Sequence, residues 1–173
     1  VDTPKLSSVC ECKSMLASDG DAIEALHAKV FGPGRFARTA FRLRERAAVL
    51  LPISRKALSD NGLVGAVTMS RIHIGPTPGV LLGPLAVEPM LRDRGIGRQL
   101  LTDAVGAAFQ AGELYVLLVG DLPYYAPVGF SPVPPRSMVM PGPVDPKRLL
   151  IAVNPIGNGA LPTGPVSGSR AQP

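Results

Sequence analysis

The segment LLGPLAVEPMLRDRGIGRQLL, Leu81 to Leu101, passes from a compact apolar run through a proline into a basic, glycine-punctuated turn and then into a helix. Leu81 to Val87 has the length and density of a buried strand. From Gly97 onward, Leu100, Leu101, Ala104, Val105 and Ala108 recur at helical spacing. Between these two elements lie Arg92, Asp93, Arg94, Gly95, Ile96, Gly97 and Arg98. The glycines lack a Cβ, so the backbone can turn tightly there and bring its N–H groups against an anion. The helix start adds unsatisfied donors and the positive end of a dipole. With Arg92, Arg94 and Arg98 supplying mobile positive charge, the turn reads as a phosphate cradle. A dinucleotide fingerprint needs three glycines spaced G-x-G-x-x-G, and a nucleotide P-loop needs Gly-Lys-Ser/Thr; the segment completes neither.

The order strand, arginine, two residues, glycine, one residue, glycine, helix resembles the acyl-CoA signature of the GCN5-related N-acetyltransferases (GNAT). Arg92, Gly95 and Gly97 stand at its fixed positions. A second stretch, Tyr124-Tyr125-Ala126-Pro127-Val128-Gly129-Phe130, resembles the family pattern of tyrosine, three residues, glycine, phenylalanine. Two motifs in the right order, covering Leu81 to Phe130, are far more specific than either alone. The resemblance implies an α/β (α+β) fold with a mixed, mostly antiparallel central sheet and helices on both faces. It implies acetyl-CoA as cosubstrate, the turn Arg92–Arg98 around its pyrophosphate, and Leu85, Ala86 and Val87 offering backbone groups to the pantetheine arm. It also implies Tyr125 as the general acid that returns a proton to the leaving thiolate, and direct transfer to an amine acceptor whose identity the sequence does not give. A catalytically silent acyl-CoA-binding module would share the cradle without needing Tyr125.

Composition agrees with one globular domain. The chain has 173 residues, 46% hydrophobic and 18% charged, long enough to bury a core without metal or disulfide staples. A net charge of +5 suits a polyanionic ligand such as CoA. Nucleic acid is not expected as a partner, because no lysine-rich run interleaved with aromatics occurs and aromatics are only 5%. Cys10 and Cys12, the only cysteines, read as incidental thiols, and His27 and His73 as structural or exposed, so no metal site is expected. No apolar run approaches the ~20 residues of a membrane span. With no secretory pattern at the start, a cytoplasmic setting is expected. A homodimer is compatible with the sequence and not required by it.

Along the chain, residues 1–12 read as an N-terminal extension, 13–153 as the acyltransferase domain and 154–173 as a disordered tail. Lys13 to Ala17 suggests a first strand. Ser18-Asp19-Gly20-Asp21 leads into a helix over Ala22 to Val30 with Ile23, Leu26 and Val30 on one face. Phe31-Gly32-Pro33-Gly34 interrupts it. Arg35 to Ala48, rich in arginine, reads as a second short helix; the resemblance places it over the acceptor site. Pro52–Asp60 and Leu63–Ile74, split by Asn61-Gly62, form a hairpin. Leu114 to Val119 reads as a central strand, and Asp121 before Leu122-Pro123 as a helix cap. The tail beyond Asn154 is small and polar and is expected to contribute nothing to folding. No ionisable group lies within Leu81 to Val87. Glu88 reads as an exposed turn residue, so a water chain or an amine arriving already neutral is expected in place of a dedicated base.

Overall fold

The computed structural model describes residues 10–157 and 159–170. Its frame is a long hairpin of β3 (Gly62–Ile74) and β4 (Thr77–Val87). The outer edge of β3 carries two partners in succession. β2 (Arg55–Ser59) covers its first half and β9 (Gly164–Gly168) pairs with Ile72 to Ile74. The gap between them is filled by residues 48–50, where Leu50 N–H donates to Met69 C=O and Arg71 N–H to Ala48 C=O, both at 2.8 Å. β1 (Glu11–Ser14) extends one side of the sheet. On the other side β4 meets β5 (Tyr115–Val119) in parallel, followed by β8 (Leu149–Val153) and β6 (Ser131–Pro132), both antiparallel. β7 (Met138–Val139) pairs with β9. The expected mixed, mostly antiparallel sheet is present.

Alternating side chains divide the core between two faces, as a pleated sheet requires. One face takes Val67, Met69, Val80, Leu82, Val116, Leu118 and Leu150 against Leu100, Leu101, Ala104 and Ala108 of α3 (Ile96–Gln110). A Cβ at Gly65 would stand 2.9 Å from Leu100 Cδ1, so α3 lies almost on the backbone of β3. The opposite face takes Ile72, Ile74, Leu81, Leu117 and Ile151 against Leu43 of α2 (Thr39–Glu45) and Val166 of β9. Leu26 of α1 (Gly20–Phe31) packs with Ala66 and Ala86. Each fully buried aliphatic side chain contributes roughly 1.5–3 kcal/mol.

One irregularity prepares the site. Val67 pairs with Leu85 and Met69 with Leu82, so two residues of β4, Gly83 and Pro84, oppose the single Thr68 of β3. Gly83, at φ 123°, takes a conformation that side chains resist. Such a bulge bends the strand that carries it. β4 is in register with β5 only at Val80–Val116 and Leu81–Leu117, and beyond Leu81 the two strands part.

Several sequence expectations change. The first strand starts at Glu11, inside the stretch assigned to an extension, while residues 1–9 lie outside the described residues. Arg35 to Ala48 is not one helix: Pro33–Ala37 forms a 3₁₀ turn, Arg38 is extended, and α2 begins only at Thr39. The tail is not disordered over residues 159–170. Its glycines, read as a lack of core-forming material, are what let β9 dock. A Cβ at Gly164 would stand 3.1 Å from Gly75 Cα, and one at Gly168 would overlap Leu43 C=O. The stabilisation comes from backbone hydrogen bonds and from Val166, which is 3% exposed. Ala48 N–H donates to Ser169 C=O at 2.8 Å, so β9 also holds the end of the α2 segment.

Candidate active site

The glycine-arginine turn sits where β4 has left β5. Pro89–Leu91 makes a 3₁₀ turn, Asp93 adopts φ 61°, and Gly95, at φ 83°, is the N-cap of α3. Because this cap has no side chain, no side-chain acceptor occupies the first N–H groups of a fifteen-residue helix. Gly97 is held close to the tyrosine motif: a Cβ there would stand 2.7 Å from Tyr124 Oη. Arg98 lies over the Tyr124 ring, its guanidinium carbon 4.8 Å from the centroid. Arg98 Nη1 is sealed from solvent and has no hydrogen-bond partner among the described residues. A buried cationic N–H without an acceptor is costly, and a phosphate oxygen would satisfy it.

The tyrosines occupy a short turn after β5. Asp121 C=O accepts from the N–H groups of Tyr124 and Tyr125, which opens α4 (Leu122–Tyr125). The Asp121 side chain makes no cap to this helix. Its carboxylate instead accepts from Arg148 Nε at 3.1 Å, which corrects the expected cap. Gly129, at φ 99°, lets the chain reverse so that Phe130 enters the core. The Tyr125 ring packs edge-on against Tyr124 and Phe130 at 5.0 and 5.9 Å and lies over Gly120, where any Cβ would overlap it. Burial, then the neighbouring Tyr124 and Asp121, push the Tyr125 phenol up to about 12. It is therefore fully protonated at neutral pH.

Tyr124 and Tyr125 line a cleft of about 840 Å³ that also takes in Leu82 to Leu85 at the bulge, Thr68 and Ser70 of β3, and residues of α1 and α2. Leu85 reaches this cleft. Ala86 does not line it, being covered by Leu26 of α1, and Val87 stands 3.6 Å from the Cβ position of Gly97. The edge of β4 from Leu82 onward has no strand on the β5 side, so its backbone groups are free toward the gap.

Residues 21–130 match the family described as Acetyltransferase (GNAT) family. The chain belongs to the GNAT acetyltransferases. Its structure resembles a GNAT family N-acetyltransferase (YhbS) of Escherichia coli solved in complex with CoA, at TM-score 0.77 and 22% identity over 96% of this chain and 93% of that one. A GNAT family acetyltransferase of Brucella melitensis in complex with acetyl-CoA aligns at TM-score 0.66 and 22% identity, over 91% and 94%. The ribosomal-protein-S18-alanine N-acetyltransferase of Escherichia coli aligns at TM-score 0.57 and 15% identity, over 88% and 99%. No curated protein matches the chain. No helix among the described residues is long and apolar enough to cross a membrane.

In this GNAT domain the wall facing the tyrosines was only partly legible beforehand. Arg35, Arg38 and Arg44 line the cleft, whereas Arg42 and Arg46 do not. His27, read as structural or exposed, is 8% exposed and lines the cleft; burial, then Arg44 and Arg35 against the opposing pull of Glu24, leaves its pKa below the ordinary imidazole value. Its Nε2 is sealed and unpartnered, as is Ser70 Oγ. The carboxylates bordering the cleft are engaged: Glu24 with Arg35 at 2.6 Å, Asp121 with Arg148, and Asp145 with Lys147 N–H at 2.9 Å. Glu88 is not an exposed turn residue. Its carboxylate is 23% exposed and pairs with Lys29 at 2.7 Å, tying α1 to the end of β4 outside the cleft.

Proposed function

We propose that this GNAT acetyltransferase takes its acetyl group from acetyl-CoA and transfers it directly to a primary amine. The observation that carries the reading is the gap between β4 and β5, flanked at one end by the uncapped start of α3 with the unpartnered Arg98 and at the other by Tyr125. The residues fit the cosubstrate. Gly95 and Gly97 let the N–H groups at the start of α3 approach a pyrophosphate, Arg98 Nη1 supplies the charged donor, and Arg92 and Arg94 add exposed positive charge. The free edge of Leu85 to Val87 pairs with the pantetheine amides as a strand would. When bound, acetyl-CoA supplies an acyl group activated as a thioester.

The chain's own groups then divide the work. A backbone N–H of β4 in the Leu85–Val87 stretch, fixed before reaction, stabilises the charge that develops on the carbonyl oxygen; removing one such donor typically costs ~10²–10³ in rate. Tyr125 donates its phenolic proton toward the departing sulfur. The cleft carboxylates are held in ion pairs or capping, and His27 Nε2 is sealed from solvent, so the amine loses its proton to water before or during attack. Neither cysteine lies in the cleft, which leaves transfer without an acyl-enzyme. The test is release of free thiol from acetyl-CoA across a panel of primary amines, with mass analysis of the amine product. Amine-dependent release with acetylated nitrogen supports the reading. Tight acetyl-CoA binding with no release on any amine contradicts it.

A further inference from the structure

The arginines on the acceptor side of the cleft are unusually arranged. Arg35 is neutralised by Glu24 and further held by Gly32 C=O at 2.7 Å. Arg148 is paired with Asp121. Arg38 and Arg44 line the same cleft, and among the described residues neither has a carboxylate partner within ion-pair distance. Each instead rests on an aromatic face, Arg38 5.4 Å from the Phe31 centroid and Arg44 5.9 Å from that of Phe41. Aromatic packing holds a guanidinium in place while leaving its donor edge free.

The two charges also oppose each other. Burial first, and then Arg38, bring the Arg44 guanidinium down to about 10, low for a group that ordinarily never loses its proton. Arg44 is partly buried and Arg38 stands exposed at the mouth beside it; two like charges lining one cleft without a counter-ion make an unfavourable arrangement that a bound anion relieves. Among the described residues, the carboxylates that border the cleft do not supply that anion: Asp145 caps its own turn, and Glu24 and Asp121 are already paired. The pair sits on α2 and the residue before it, anchored by Thr39 Oγ1 to Pro143 C=O at 2.8 Å and by β9 at the other end.

We propose that Arg38 and Arg44 form a subsite for an anionic group, carboxylate or phosphate, carried by the amine acceptor. The inference rests on the amine-transfer reading above and narrows it: the acceptor joins a primary amine to an anion through a spacer that reaches from the Arg38–Arg44 pair to the bulge at Gly83. A carboxylate or phosphate is held by paired N–H donors, which both guanidinia can present.

The experiment compares acceptors of equal chain length that differ in charge, with turnover referred to the free-amine concentration set by each acceptor's own basicity: ω-amino acids of two to six carbons against the n-alkylamines of the same length, and phosphoethanolamine against ethanolamine. Each is titrated calorimetrically into the CoA-loaded protein and assayed for turnover with acetyl-CoA. At least one anionic acceptor should bind and react ~10-fold or more better than its neutral match, the size expected for a charged hydrogen-bonded contact. Arg38→Met and Arg44→Met, which keep the apolar stem, should each remove most of that preference. Arg46→Met, which deletes the same charge outside the cleft, should retain it. The carboxylate and phosphate arms decide which anion is meant. An anionic preference in binding without acetylation upholds the subsite and overturns the amine-transfer reading. Equal binding and turnover of charged and neutral acceptors overturns the subsite and leaves that reading standing. A preference that survives both Met variants, or no binding and no turnover of any probe, overturns the assignment.

Discussion

Tyr125→Phe removes one hydroxyl and keeps the ring, which makes it the cleanest probe of the chemistry. The ring contacts with Gly120, Tyr124 and Phe130 survive, and the hydroxyl makes no hydrogen bond to another described residue, so the thermal midpoint should barely move. The effect on rate follows from the phenol's position at about 12. An ordinary thiol lies near ~8.5, so complete transfer of the phenolic proton to the thiolate runs uphill by ~5 kcal/mol. In the proposed role Tyr125 would therefore act chiefly by hydrogen bonding to charge developing on sulfur, with transfer completed only as the thiolate itself is desolvated. That places the loss toward the lower end of the ~10²–10⁴-fold range for general acids, at roughly 10²-fold in kcat, with acetyl-CoA affinity unchanged. Because the phenol stays protonated through pH 9, the wild type should show no alkaline fall-off from this group. The assay is thiol release in single-turnover mode, where chemistry limits the rate, together with calorimetric titration of CoA. Full turnover by the variant in that regime refutes the role, and a loss of CoA affinity equal to the loss of rate refutes its confinement to the transition state.

Three further outcomes concern the proton path, the docking of β9 and a partly buried ion pair. With water as the proton acceptor, kcat/KM rises with pH and levels off at the amine's own pKa, so the inflection should move between butylamine and the less basic glycinamide; an inflection below ~6.5 that stays fixed across acceptors and vanishes in His27→Asn would make His27 the base. Val166→Ala removes two buried methyl equivalents and leaves a small cavity, about 2 kcal/mol, which should lower the thermal midpoint by ~4–8 °C and leave CoA affinity intact; no shift would mean that β9 does not dock in solution. Asp19 pairs with the nearly buried Lys56 at 2.7 Å, and that hydrogen bond holds its carboxyl below the ordinary value. Its stabilisation is thus complete above pH ~4 and lost as pH falls through the lowered value, so the gap in stability between wild type and Asp19→Asn should close below pH ~4; a gap that stays constant down to pH 2 would contradict the pairing.

What could be read in the sequence was whatever a local backbone demand restricts to few residue types. The turn at Gly95 and the reversal at Gly62 both need positive φ, and the hairpin and the start of α3 fall where those glycines place them. The tyrosine motif was legible for the same reason, through Gly129. Groups whose partners are distant in sequence were not. Glu88 meets Lys29 across 59 positions and Asp121 meets Arg148 across 27, so neither pairing leaves a local trace. His27, Ser70 and Arg44 come together only in the folded chain, where α1, β3 and α2 line one cleft. β9 escaped because small residues were taken as absence of core material, whereas close approach of backbones requires them.

Acetyl transfer by this chain, as proposed, depends above all on the turn at the head of α3 as the cradle for the pyrophosphate of acetyl-CoA. Calorimetric titration of CoA into the wild type, Gly95→Val and Gly97→Val tests it directly, with circular dichroism confirming that each variant is folded. Valine at position 95 must adopt φ near 83°, and at position 97 its Cβ must displace Tyr124, so both disturb the N–H groups at the start of α3 that the proposal assigns to the phosphates. Stoichiometric binding that weakens with salt in the wild type and is lost in both folded variants is the predicted result. Undiminished CoA affinity in both would contradict it.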